Sequence, residues 1–142
     1  MDGHKVEGRR LEHTEVDIDL RLNGKTVSRC CIDTAFSLEV LEKNARTVIR
    51  IGGQMNIEEK GVQLHLSGEN PTQAAQASML MGKTIGRAIG RKDGSLEVGF
   101  TDGSKLVVHV DPGYEAWEVS ASDGFFVVSL PGGGLSSWKP RS

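Results

Sequence analysis

With 142 residues, 17 basic and 19 acidic side chains and a net charge of −2, the chain lacks the basic excess of a general nucleic-acid binder. No run approaches the 18 or more apolar residues of a membrane helix, and the first residues carry no hydrophobic signal core. The only cysteines, Cys30 and Cys31, are adjacent, too close along the chain for a mutual disulfide and on opposite faces of any strand, so they read as reduced thiols of a cytoplasmic protein.

Met1 to Arg10 is polar and charged and reads as a flexible lead-in. Thr14 to Leu22 then alternates polar and apolar as a half-buried strand does, with Thr14, Val16, Ile18 and Leu20 facing inward. Asn23-Gly24 suits a two-residue hairpin that would set Leu20 opposite Val27 and Val16 opposite Cys31. Val62 to Leu66 is a further strand. Asn70-Pro71-Thr72-Gln73 starts a helix, with Asn as N-cap and Pro at the first position, and the helix runs to Met81 and stops at Gly82. Ala74, Ala77, Leu80 and Met81 form its apolar stripe.

After the helix come a strand over Ile85–Ile89, the Asp93-Gly94 turn and a hairpin centred on Asp102-Gly103. A two-residue loop there would pair Phe100 with Lys105. A three-residue loop, Thr101-Asp102-Gly103 with Gly103 in a left-handed bulge position, instead sets Val98 against Leu106 and Leu96 against Val108 and keeps the apolar face continuous. Strands over 116–119 and 125–130 follow, with a turn at Asp123-Gly124. Gly132-Gly133-Gly134 leads to a last strand with Leu135 and Trp138, and Pro140 to Ser142 read as loose.

The chain also repeats a plan. Ile32-Asp33, Phe36, Glu39-Val40 and the run Val48 to Gly53 recur as Val110-Asp111, Tyr114, Glu118-Val119 and the run Val127 to Gly133, roughly 78 positions later. The expected fold is therefore α+β: mainly antiparallel strands in two similar halves with one helix between them. Its organisation is one domain over 1–142, with a first β repeat over 11–53, a helix over 70–82 and a second β repeat over 83–138. Barrel and sandwich arrangements both fit.

No catalytic motif is present: the sequence holds no P-loop, no G-x-S-x-G, no H-E-x-x-H and no C-x-x-C. His4, His13, His65 and His109 are scattered without ligand spacing, so no metal site and no cofactor is expected. The glycine triplet precedes no helix and is a turn rather than a phosphate loop. Two sets of residues stand out. Glu15, Asp17 and Asp19 would share the outer face of the first strand, as a solvated face or as an acidic docking surface for a basic protein partner; a divalent-metal site is the distant third reading, because same-face positions stand about 7 Å apart along a strand, too far to chelate one ion without other ligands. Tyr114, Trp117 and Trp138 gather aromatic bulk that serves as core plugs or as the wall of a ligand pocket between the halves, with Asp111 bonding amides of its own turn.

The string Asp111-Pro112-Gly113-Tyr114-Glu115-Ala116-Trp117-Glu118-Val119, followed by Val127-Val128-Ser129-Leu130-Pro131-Gly132-Gly133-Gly134-Leu135 and Trp138, resembles the closing signature of a family of small uncharacterised actinobacterial proteins. The resemblance covers about the last 60 residues and brings no catalytic residues with it. By class, small stand-alone β-rich proteins of this charge are similar to immunity proteins, which cap bacterial toxins. The resulting expectation is a non-enzymatic cytoplasmic protein-binding domain, an immunity protein that occludes a toxin through Glu15, Asp17 and Asp19. The alternative is a small-molecule-binding domain using Tyr114, Trp117 and Trp138.

Overall fold

Residues alternating at period two bury one side of most strands, and here they build two antiparallel sheets around one apolar interior. The computed structural model describes residues 12–138, of which 12 and 13 by backbone alone, together with two short strands that pair with each other, β1 (Lys5–Val6) and β2 (Arg9–Arg10). The readings of His4, of the lead-in as a whole and of Pro140 to Ser142 fall outside the described residues.

The strands that follow are β3 (Glu12–Thr14), β4 (Ile18–Asp19), β5 (Arg29–Ile32), β6 (Phe36–Glu42), β7 (Ala45–Ile51), β8 (Gln54–Glu59) and β9 (Val62–Ser67). Helix α1 (Pro71–Gln76) continues as a 3₁₀ turn over Ala77–Leu80, and then come β10 (Ile85–Gly90), β11 (Leu96–Phe100), β12 (Lys105–Val108), β13 (Trp117–Ala121), β14 (Phe126–Ser129) and β15 (Leu135–Trp138). One sheet has the order β4-β10-β11-β12-β8-β9 and the other β3-β15-β14-β13-β7-β6-β5. Phe36, Leu38, Ile49, Ile51, Trp117 and Val119 face Met55, Ile57, Leu96, Val98, Leu106 and Val108 across the shared core.

The chain is mainly antiparallel β in two similar halves with one short helix between them. Meander β5-β6-β7 passes its chain to the opposite sheet, where hairpin β8-β9 docks beside β12. Meander β10-β11-β12 does the reverse, and hairpin β13-β14 docks beside β7. The order β5-β6-β7-β13-β14 in one sheet thus recurs as β10-β11-β12-β8-β9 in the other, two interlocked halves in which each meander shelters the other's hairpin. This corrects the phase of the sequence repeat. At an offset of roughly 78, β5, β6 and β7 would match β12, β13 and β14, yet β5 and β12 lie in different sheets. The sequence likeness arises because hairpins β6-β7 and β13-β14 sit side by side in the same sheet and present the same kind of inner face.

The bulged hairpin forms as expected, with Val98 opposite Leu106, Leu96 opposite Val108 and Gly103 at φ +91°. The first strand does not. Thr14 bonds the backbone of Val16 through its own hydroxyl, the chain bends, and β3 and β4 end up at the edges of different sheets. Val16, expected inside, is 65% exposed. Asn23-Gly24 does make a turn, with Lys25 N donating to Leu22 O at 3.0 Å, but no hairpin follows. Residues 18–27 instead run antiparallel along 83–90, through Asp19 opposite Ile89, Leu20 N to Ala88 O and Thr26 opposite Thr84. The expected pairing of Leu20 with Val27 and of Val16 with Cys31 is replaced by burial of Leu20, Leu22 and Val27 in the core.

Asn70 caps α1 by accepting from Gln73 N at 3.1 Å, with Pro71 at the first position. The α-helix is shorter than expected because its last turn tightens to 3₁₀. Ala74, Ala77 and Leu80 are buried, whereas Met81 is 59% exposed rather than part of the apolar stripe. The helix packs on β9 and β5, the edge strands of the two sheets on that side.

Candidate functional site

Where the chain leaves β7 for the opposite sheet it passes Gly52-Gly53, and both amides donate to Ala116 O at 3.0 Å. A Cβ on Gly53 would stand 2.9 Å from that of Ala116, so glycine is what lets the two crossing segments touch. The return crossing begins at Asp111, whose carboxylate accepts from Gly113 N at 2.7 Å as expected. It then runs through Tyr114, whose hydroxyl donates to Gly52 O at 3.5 Å. Beside this double crossing lies a cleft of about 280 Å³, lined by Thr34, Ala35, Arg50, Gly52, Glu69, Tyr114, Glu115, Trp117 and Glu118. Both halves contribute to it.

The charges in the cleft are unevenly partnered. Arg50 donates to Asp33 at 3.3 Å and to Thr34 Oγ1 at 2.6 Å. Glu118 is its register partner across β7 and β13, but their side chains form no ion pair. Burial raises the Glu118 carboxyl above the ordinary carboxylate range, Glu115 adds to the rise, and Arg50 opposes it. Among the described residues, no donor bonds the carboxylates of Glu69, Glu115 or Glu118. Burial likewise raises the Tyr114 phenol, helped by Asp111 and Glu69.

The structure brings together two of the three aromatic residues singled out in the sequence. Tyr114 is 37% exposed and walls the cleft. Trp117 is a core plug that also lines its floor, held by a hydrogen bond from its indole nitrogen to Gly94 O at 2.9 Å. Trp138 does not line the cleft; its ring packs on Phe126 with centroids 5.0 Å apart.

Glu15, Asp17 and Asp19 do not form one strand face. Glu15 lies in the bend between β3 and β4, exposed. Asp17 accepts from Lys92 N at 2.8 Å and from Arg91 at 3.1 Å, bonds that hold its carboxyl below the usual range, the backbone amide most of all. Asp19 accepts from Arg21 N at 2.8 Å. Two of the three carboxylates are therefore engaged in shaping the edge of the fold.

Two other polar clusters differ from the cleft in being internally satisfied. A groove of about 440 Å³ near the β10–β11 turn includes Asp17, Arg91 and Glu97, and Arg91 bonds both carboxylates. On β6, the buried Glu39 accepts from Arg29 at 2.8 Å, Arg46 at 3.2 Å and the Cys31 thiol at 3.3 Å. The bonds from Arg46 and Arg29 hold Glu39 down to about 2. The bond to Glu39 raises the Cys31 thiol, and burial raises Cys30 to about 11, so both thiols stay protonated near neutrality and are weak nucleophiles. No group of three potential metal ligands converges among the described residues, and none of their helices is long and apolar enough to cross a membrane.

The family model described as a family of unknown function, DUF6188, matches residues 6–139. The chain belongs to that family. No curated protein and no solved structure matches the chain. Membership of DUF6188 agrees with the resemblance to an uncharacterised family and assigns no activity, so the site must be judged on its own chemistry.

Sequence reasoning missed Thr34, Arg50, Glu69, Glu115 and Glu118 as site residues. Arg50 and Glu118 were visible inside the repeated strings, but their meeting depends on β7 pairing with β13, a contact between halves that no local pattern encodes.

Proposed function

We propose that this member of the DUF6188 family is a non-enzymatic binding protein of the cytoplasm whose ligand sits in the cleft between the halves. One observation carries this reading. Three carboxylates without hydrogen-bond partners among the described residues, one of them half-buried, line a concavity walled by Tyr114 and Trp117. Glu69 and Glu115 are exposed and solvated, whereas Glu118 is half-buried; a half-buried carboxylate without a hydrogen bond costs stability, and a cationic ligand group would relieve that cost. Catalysis gains no support from the rest of the molecule, because the cysteines are held protonated and the other charged clusters are internally paired.

The cleft favours a small-molecule ligand over docking through Glu15, Asp17 and Asp19. A toxin-occluding immunity role is the second reading. It is supported by the exposure of Glu15 and by the cleft itself, since a lysine or arginine of a toxin presents the same cationic groups.

A thermal-shift screen of a metabolite library tests the proposal, because a specific ligand raises stability by mass action. The expected result is a hit that is lost in Tyr114→Ala. A library without hits, together with a protein partner whose binding withstands Tyr114→Ala but falls on Glu15→Lys, would overturn it in favour of the immunity reading.

A further inference from the structure

Cross-strand neighbours of opposite charge ordinarily close on each other, since their Cβ atoms stand about 5 Å apart. Arg50 and Glu118 are such neighbours, yet Asp33 and Thr34 draw the guanidinium aside, and both groups line the cleft. In the matching strands of the other half the corresponding pair, Val107 and Asn56, is neutral, and the nearby Lys105 faces Glu58 but bonds Glu97 instead. What sets Arg50 and Glu118 apart is the concavity they share with Tyr114 and Trp117, which presents a donor and an acceptor to one cleft.

A guanidinium has five N–H donors, and the contacts to Asp33 and Thr34 leave others to bind an anion. Glu118 beside it is an acceptor without a side-chain donor, and Glu115 and Glu69 add negative charge to the same cleft. A ligand complementary to this pattern carries an anion and a cation on adjacent atoms, plus a second cation beyond them. With a volume of about 280 Å³, the cleft lies near the lower end of small-molecule pockets, which suits a single amino acid better than a nucleotide.

Taking the cleft to be the binding site, as proposed above, we propose that it takes a free basic α-amino acid. The ligand's carboxylate meets Arg50 and Thr34, its α-ammonium meets Glu118, and its cationic side chain passes Tyr114 toward Glu115 and Glu69. Specificity comes from the two-point head group, since an analogue lacking either charge leaves Arg50 or Glu118 unsatisfied.

The test is calorimetric titration and thermal shift of the full chain with L-arginine, L-lysine, agmatine, cadaverine and L-norleucine. Arginine or lysine should raise the melting temperature by about 4 °C at roughly ten times its Kd. Agmatine and cadaverine, which lack the carboxylate, and norleucine, which lacks the side-chain cation, should bind about 10- to 100-fold more weakly. Arg50→Met should remove the preference of arginine over agmatine, a change of selectivity read on a variant whose own melting curve shows it folded. Agmatine binding as well as arginine would overturn the head-group assignment while leaving the cleft as the site. Absence of binding by all five compounds would overturn the assignment outright, and the library screen decides the cleft independently.

Discussion

Trp117 donates its indole N–H to the carbonyl of Gly94 at 2.9 Å, and Ser129 donates its hydroxyl to the same oxygen at 2.7 Å. Residues of the seven-stranded sheet thereby hold the turn between β10 and β11 of the other sheet. Gly94 sits at φ +102°, and a Cβ there would lie 2.7 Å from Val110 Cγ2 and 2.9 Å from Gly134 N and O. Gly94→Ala combines left-handed strain with backbone overlap and should cost at least about 2 kcal/mol. Trp117→Phe leaves Ser129 bonded to the oxygen and should cost about 1–3 kcal/mol. Urea unfolding measures both losses.

Glu118 should behave as a stability liability kept for binding. Its carboxyl is raised in the folded state by burial, then by Glu115, so its ionised form is disfavoured on folding. Stability is fullest while the group is protonated, below the ordinary carboxylate range, and falls as pH rises through the folded-state value. Glu118→Gln should therefore stabilise the ligand-free protein at pH 7 by under about 1 kcal/mol, solvent screening included. That gain should vanish in acid, as thermal unfolding across pH will show.

Glu39 has the opposite sign. Hydrogen bonds from Arg46 and then Arg29 depress it to about 2, so the stability it contributes is present above the ordinary carboxylate range near pH 4.3 and is lost as pH falls toward 2. Glu39→Gln should lower stability at pH 7 by roughly 1–3 kcal/mol, since it removes charged acceptors from two half-exposed arginines. The variant's unfolding midpoint should also change less between pH 5 and pH 2 than that of the parent chain.

Elements governed by short-range rules were legible in the sequence. The bulge at Gly103 followed from keeping one apolar face, and the cap at Asn70 from side-chain chemistry. What escaped were relations set by distant partners. Asn23-Gly24 carries a hairpin signal, but the better partner for residues 18–27 is the edge of β10. The acidic alternation of Glu15, Asp17 and Asp19 looked like a face until Lys92 and Arg91 claimed Asp17. The repeat was real in kind but misphased, because sequence likeness follows shared sheet environment while the topology swaps hairpins between sheets. Of the candidate site, Tyr114 and Trp117 were legible as aromatic bulk, whereas Arg50 and Glu118 became a site only through the pairing of β7 with β13.

The interlocking of the halves makes one more prediction, centred on Lys83. This residue follows the helical segment, and its largely buried ammonium bonds Glu59 of β8 at 3.1 Å and Asp102 of the bulged turn, one carboxylate from each half. Lys83, then Ser104, holds the Asp102 carboxyl well below the usual carboxylate range, and Asp102 in turn raises Lys83. Lys83→Met keeps the aliphatic stem but strands two carboxylates, so the melting temperature at pH 7 should fall by a few degrees. A depressed carboxyl contributes stability above its unfolded pKa and loses it as pH drops, so the difference between Lys83→Met and the parent chain should shrink steadily below pH 4. A difference that stayed constant down to pH 2 would mean that packing of the lysine stem, rather than the bridge it makes between the halves, carries the effect.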